Sequence, residues 1–108
     1  NKLIIVFQPH LYSRTKNFFK EFARALSKSD IVILTEIYPA REEQIEGITS
    51  KIILDNLDGI DSYILEKEDI PNKIAAISKD NDMIIVMGAG DIKSITTNIY
   101  KKIEACNV

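Results

Sequence analysis

Two residues with anion-binding side chains, His10 and Arg14, lie four positions apart just after the first apolar run of the chain. An arginine guanidinium matches a carboxylate or a phosphate with two parallel hydrogen bonds. A histidine donates a hydrogen bond and can change its charge near neutral pH. We therefore predict that this turn binds an anion. The alternative, in which His10 only caps or packs and Arg14 is only solvated, stays open.

Four apolar runs, separated by segments of helical periodicity, must position this turn. Continuous apolar runs of this length are typical of parallel strands that are buried on both faces. Right-handed crossovers between them predict a three-layer, Rossmann-like α/β domain with strand order 3-2-1-4 and helices on both faces. The first and fourth strands are then neighbours, and ligands bind where such strands end. The predicted strands are Leu3–Phe7, Ile31–Thr35, Ser62–Leu65 and Met83–Met87.

The first helical segment places the two candidate residues at a helix start. We expect this helix to begin near Tyr12 or Ser13, so that His10 precedes it and Arg14 lies in its first turn. A helix N-terminus carries free N–H groups and a partial positive charge, and both attract anions. The helix start is therefore expected to contribute to the anion site.

Start signals also precede the other helical segments. Thr49 and Ser50 are candidate caps for the second helix. Pro71 lies in the first turn of the third, where its missing N–H costs nothing. Asp91 is expected to cap the last helix. The apolar stripe of that helix consists of Ile92, Ile95, Ile99 and Ile103.

Two more strand-to-helix turns reach the same edge of the predicted sheet. The turn at 36–47 is long for such a connection, and long ordered loops are often functional. Within it, Arg41 and Glu42 can pair with each other, meet a ligand or be solvated. The turn at 88–91 contains small residues that let a ligand come close. Further candidates for lining the site are Tyr12, Ser13, Tyr38, Arg41, Gly88, Gly90 and Asp91.

The composition argues against several kinds of partner. With 14 basic and 16 acidic residues and a net charge of −2, the 108-residue chain lacks the basic excess typical of nucleic-acid binding. No apolar run reaches the length of about 20 residues that spans a membrane. The single cysteine, Cys106, excludes an intramolecular disulfide and favours a reducing, cytoplasmic location, with no role for the thiol.

Known catalytic and cofactor motifs are also missing. The chain has no G-x-x-x-x-G-K-[ST] phosphate loop and no His/Cys cluster for a metal. The turn at 88–91 is not a dinucleotide fingerprint, because Lys93 stands at the third glycine position. We therefore predict no metal site and no catalytic residue within this chain.

Three patches resemble the C-terminal domain of the Mur ligase family, in matching order and spacing over essentially the whole chain. The resemblance implies that residues 1–108 form a single domain of a larger three-domain ligase and that the first strands of this domain precede Asn1. The patches are 6–10 with 12–15, 37–42 and 87–92, which read VFQPH, YSRT, IYPARE and MGAGDI.

The resemblance also implies an activity. Its members join an amino acid to a UDP-sugar with ATP, and this chain is most similar to those that join L-alanine to UDP-N-acetylmuramate in peptidoglycan precursor synthesis. ATP and Mg²⁺ are then bound mainly by the central domain, over which the present domain closes. By resemblance, His10 and Arg14 contact the carboxylate of alanine or of the product. An arginine often follows this histidine in the family, and Leu11 in its place implies a looser clamp or a charge from another domain.

Two alternatives of other classes stay open. The chain is either a stand-alone Rossmann-like module for a nucleotide or a phosphorylated metabolite, or a structural domain that binds a partner protein. The missing glycine fingerprint argues against the first. In the ligase interpretation, the partners are the N-terminal and central domains. An uncovered apolar edge beside Met83–Met87 predicts partial self-association.

Overall fold

The computed structural model describes residues 1–88 and 92–106 of the chain. Its four strands form one parallel sheet with the order β3-β2-β1-β4, so the predicted order 3-2-1-4 is confirmed. Because β1 and β4 are neighbours, Gln8 lies opposite Gly88 at their C-terminal ends. The strands are β1 (Leu3–Gln8), β2 (Ile31–Leu34), β3 (Asp61–Ile64) and β4 (Met83–Gly88).

Four α-helices connect or follow the strands. The first begins at Tyr12, as the sequence predicts, and Pro71 lies in the first turn of the third. Short 3₁₀ turns at Lys67–Asp69 and Ile92–Ser94 lead into the third and fourth helices. The helices are α1 (Tyr12–Leu26), α2 (Lys51–Leu54), α3 (Ile70–Ile77) and α4 (Ile95–Cys106). No helix in the described part of the chain is long and apolar enough to cross a membrane.

The sheet separates two apolar layers, because successive side chains of a strand point to opposite faces. Ile4 and Val6 of β1 pack with the buried isoleucines of α3 and α4. Ile5, between them in sequence, packs on the other face with Ala23 and Leu26 of α1 and with a buried residue of α2. This division confirms the predicted three-layer domain with helices on both faces.

Ser50 does not cap α2, and this prediction is wrong. Its side chain is fully buried, and its hydroxyl donates to the backbone carbonyl of Thr35 just after β2. A buried hydroxyl must find a partner, and the nearest acceptor here is the end of the strand. Ser50 keeps the position before the first helical residue, and the hydroxyl of Thr49 accepts from the backbone N–H of Lys51 at 3.3 Å.

Two carboxylates fix the N-terminal ends of the strands. Asp30 accepts a hydrogen bond from the backbone N–H of Leu3 at 2.7 Å. Asp82 accepts from the N–H groups of Lys2 at 2.8 Å and Lys79 at 2.9 Å, and these two bonds lower the pKa of its carboxyl group. These carboxylates therefore satisfy the backbone N–H groups of neighbouring segments at this end of the sheet, and the bond between Asp82 and Lys2 holds the start of β4 beside the start of β1.

The edge strand β4 carries exposed apolar side chains. Met83 is 62% exposed and Met87 is 38% exposed. They share one face of the strand, whereas Ile84 and Val86 face the opposite side and pack against the core around α3 and α4. An uncovered apolar strand at the edge of a sheet favours pairing with another chain.

We expect the chain to self-associate weakly at high concentration through β4. Met83→Lys should reduce this association, because an edge-strand lysine disfavours strand pairing. Tyr100→Lys on α4 is the matched control, since Tyr100 has the same 62% exposure but lies in the other layer. Sedimentation velocity measures both variants. A wild-type chain that remains monomeric at high concentration would contradict this expectation.

Gly88 ends β4 in a conformation that excludes a side chain. Its φ is +146°, and a Cβ there would lie 2.8 Å from the carbonyl oxygen of Gln8 and 3.0 Å from Ile92. Gly59 also has a positive φ, of +69°, but a Cβ there meets no atom within 4 Å. A side chain at Gly59 would meet only backbone strain, whereas one at Gly88 would meet backbone strain and close contacts together.

Gly88→Ala should destabilise the fold by about 2–4 kcal/mol, because strain and overpacking both contribute. Gly59→Ala should cost about 1 kcal/mol, since only the backbone conformation opposes it. Chemical denaturation of both variants measures the two free energies of unfolding. Equal losses for the two variants would show that the contact between β1 and β4 is not tight at this position.

Candidate functional site

The C-terminal ends of β1 and β4 border a pocket of about 310 Å³. His10 and Arg14 both line it, together with Gly88 at the end of β4. Phe7 and Phe22 form its apolar wall and contact each other edge to face, with ring centroids 5.6 Å apart. The pocket thus presents a guanidinium and an imidazole beside apolar surface, a combination that suits a small organic anion.

The imidazole of His10 is held by the loop that follows β2. The ring stacks on Tyr38, with centroids 5.9 Å apart and an interplanar angle of 20°. On either side of His10, the N–H of Tyr38 donates to Pro9 at 2.8 Å, and the N–H of Leu11 donates to Tyr38 at 2.9 Å. His10 is therefore fixed by backbone and ring contacts while Arg14 is exposed to solvent.

An internal carboxylate occupies the start of α1. Glu42 accepts hydrogen bonds from the hydroxyl of Ser13 and from its backbone N–H, the latter at 3.0 Å. The hydroxyl bond lowers the pKa of Glu42 most, followed by the backbone bond of Ser13, with smaller effects from Tyr12 and the charge of His10. The sequence predicts free N–H groups at this helix start, but they are not all free, because Glu42 accepts the N–H of Ser13 from the loop after β2. An incoming anion therefore meets the side chains of His10 and Arg14 first.

The other predicted site residues described by the structure do not line the pocket of His10 and Arg14, except for Gly88. Tyr12 is partly buried in the first turn of α1, and Ser13 is bonded to Glu42. Arg41 is exposed and, within the described residues, forms no ion pair. Gly90 and Asp91 lie outside the described residues, as does the predicted capping role of Asp91. The side chain of Cys106 is not described either.

A second pocket, of about 230 Å³, adjoins the first at the ends of β1, β2 and β3. Tyr38 and Glu36 line it, and Gln8 lines both pockets. Gln8 is only 5% exposed, and its Oε1 atom is buried without a hydrogen-bond partner among the described residues. Sequence reasoning overlooked Gln8. The available signal was a polar residue at the end of an otherwise apolar buried strand.

A larger pocket, of about 460 Å³, lies at the opposite end of the sheet beside α3 and β4. Its lining includes Asp82, whose carboxylate is already bonded to the backbone at Lys2 and Lys79. Ligands of open parallel sheets bind beyond the C-terminal ends of the strands. We therefore assign the candidate site to the smaller pocket that contains His10 and Arg14.

Neither a cluster of metal-ligating side chains nor a phosphate loop occurs in the described residues. Across residues 1–88 and 92–106, no three His, Cys, Asp or Glu side chains cluster in a way that could hold a metal ion. The sequence also contains no phosphate loop.

Comparison with known proteins identifies the family of this chain. The sequence model described as "Mur ligase, glutamate ligase domain" matches residues 1–90. The UDP-N-acetylmuramate–L-alanine ligase of Phocaeicola vulgatus is 50% identical over 99 residues, which cover 91% of this chain and 21% of that protein. The ligase of the same name from Prochlorococcus marinus is 45% identical over 104 residues, with 92% and 21% covered.

A third relative is more distant. The UDP-N-acetylmuramate–L-alanine ligase of Paenarthrobacter aurescens is 40% identical over 92 residues, covering 85% of this chain and 20% of that protein. The chain thus spans about a fifth of the length of these relatives. The family match extends over most of the chain and includes the turns that carry His10, Arg14 and Tyr38. The chain therefore belongs to the Mur ligase family and corresponds to its glutamate ligase domain.

Proposed function

We propose that this chain is the amino-acid-binding domain of an ATP-dependent ligase that joins L-alanine to UDP-N-acetylmuramate. The observation that carries the proposal is the shared pocket of His10, Arg14 and Gly88 where β1 and β4 end. The names of the three relatives supply the substrates. On this proposal the pocket holds the carboxylate of alanine or of the product.

The role of the pocket is to position the amino acid. In the reaction implied by the family, the muramoyl carboxylate is activated by phosphorylation with ATP, and the amine of alanine then displaces phosphate. Arg14 and His10 hold the opposite end of alanine, so the amine stays free to attack. Holding a nucleophile in this way removes much of the entropic barrier of a bimolecular step.

Domain closure would strengthen the attraction between Arg14 and the carboxylate of alanine. Arg14 is exposed in the isolated domain, and water and salt screen its attraction for an anion. When the domain closes over the central, ATP-binding domain, water leaves the pocket and the same contact becomes stronger. Closure also protects the reactive acyl phosphate from hydrolysis. The central domain, outside this chain, would bind most of the ATP and Mg²⁺.

With Leu11 after the histidine, the clamp within this chain consists of His10 and Arg14. The position after the histidine is often arginine in the family, and here an apolar side chain replaces that charge. The N–H of Leu11 is already bonded to Tyr38, so its backbone does not compensate. We propose that another domain supplies the charge that Leu11 lacks, or that the carboxylate is held more loosely here.

In the complete ligase, Arg14→Ala should raise the KM for L-alanine about 10- to 150-fold. The expected loss of a charge-assisted hydrogen bond, about 1.5–3 kcal/mol, sets this range. Arg24→Ala is the matched control, because Arg24 is an exposed arginine in the last turn of the same helix. Steady-state kinetics with varied L-alanine measures both. An unchanged KM in Arg14→Ala would favour the structural-domain alternative.

The chain by itself should not catalyse the reaction. Mixed with ATP, Mg²⁺, UDP-N-acetylmuramate and L-alanine, it should release no phosphate above background, because it lacks a phosphate loop. A phosphate-release assay measures this directly, and the complete ligase is the positive control. Turnover by the chain would contradict the proposal. Tight ATP binding by the chain in calorimetry would instead support a stand-alone nucleotide-binding module.

A further inference from the structure

We propose that Glu42 is a positioning residue for the amino acid: it fills the start of α1 and so directs the ligand carboxylate to the side chains of His10 and Arg14. The inference rests on the proposed function, because it concerns the same pocket. It adds a residue that touches neither the ligand nor the reacting atoms. Glu42 acts through the turn that carries the anion-binding groups.

Glu42 is the cap that α1 itself lacks. The residue before the helix, Leu11, makes no side-chain capping bond, and the first turn contains no acidic residue. The carboxylate of Glu42 arrives from 29 positions away and accepts both hydrogen bonds of Ser13. A carboxylate at a helix N-terminus is stabilised by the unpaired N–H groups and by the helix dipole.

The same carboxylate decides where a second anion can bind. One negative charge already sits at the helix start, and its hydrogen bonds lower the pKa of Glu42, which keeps it charged at neutral pH. A ligand carboxylate at those N–H groups would meet a like charge. Among the described residues that line the pocket, His10 and Arg14 carry the ring and guanidinium N–H groups, and Arg14 lies one residue beyond Ser13.

The loop holds both ends of the turn at once. Tyr38 stacks on His10 and bonds to the backbone on either side of it. From there the chain bends back through Ala40, whose φ is +53°, and the N–H of Glu42 donates to Pro39 at 2.9 Å. The carboxylate of Glu42 then accepts two hydrogen bonds from Ser13, in the first turn of the helix that carries Arg14. Without Glu42, only the bond of Leu11 to Tyr38 would, among the described residues, tie the helix start to the loop that orients the imidazole. Arg14 would then be less fixed relative to that imidazole.

The test compares variants of the complete ligase that remove the hydrogen bonds between Glu42 and Ser13 in steps. Glu42→Ala removes both acceptors, Glu42→Gln keeps one acceptor without the charge, and Ser13→Ala removes the hydroxyl but keeps the backbone donor. We expect the KM for L-alanine to rise about tenfold in Glu42→Ala, as for other residues that orient a ligand-binding group. Smaller rises are expected in Glu42→Gln and Ser13→Ala.

Two controls separate positioning from loss of fold. Glu43→Gln changes the adjacent exposed acid and should leave all constants unchanged. The KM values for ATP and UDP-N-acetylmuramate should stay at the wild-type level in every Glu42 variant. A variant that merely unfolds in part lowers the active fraction, and therefore kcat, without raising one KM selectively. If Glu42→Ala does not fold, Glu42→Gln and Ser13→Ala still decide the question.

The outcomes distinguish this inference from the proposed function. If Arg14→Ala raises the KM for L-alanine but the Glu42 and Ser13 variants change only kcat, the positioning role of Glu42 is wrong and the pocket assignment stands. If neither set changes that KM, the pocket does not bind the amino acid and both proposals fail. A selective rise in both sets, with Glu43→Gln unchanged, supports both.

Discussion

Gln8 lies opposite Gly88 in the parallel pair of β1 and β4, and the rest of the site is built around that pairing. The pairing is tight, since even one Cβ at position 88 would contact the carbonyl oxygen of Gln8. It brings the turn after β1 beside the turn after β4. Because all four strands run in the same direction, both turns emerge at one edge, where His10 and Arg14 share a pocket with Gly88.

The two ends of the sheet use their charged groups differently. At the N-terminal end, the carboxylates of Asp30 and Asp82 accept backbone N–H groups of neighbouring segments. At the C-terminal end, Glu42 does the same for Ser13, but Arg14 is left exposed and the Oε1 of Gln8 has no partner in the described part of the chain. An exposed guanidinium and an unpartnered buried oxygen therefore lie at the edge where open α/β sheets bind ligands.

The fold followed from the sequence because its signals are local. Apolar runs marked the strands, and crossover handedness with the guessed order placed β1 beside β4, which the structure confirms. The role of Glu42 could not be predicted, because its partner Ser13 is 29 positions away and nothing in the spacing links them. The capping role predicted for Ser50 as one of two candidates is wrong for a similar reason: the sequence shows a favourable residue type, but not that packing buries its hydroxyl against Thr35.

The contact between His10 and Tyr38 continues the pairing of β1 and β2 past a residue that normally ends it. Pro9 has no N–H for the ladder, yet its carbonyl accepts from Tyr38, and Leu11 donates back to Tyr38. The turn after β1 and the loop after β2 are therefore held together by backbone hydrogen bonds rather than being two independent loops. The imidazole of His10 is therefore preorganised, and binding of an anion there, as proposed, would cost little conformational entropy.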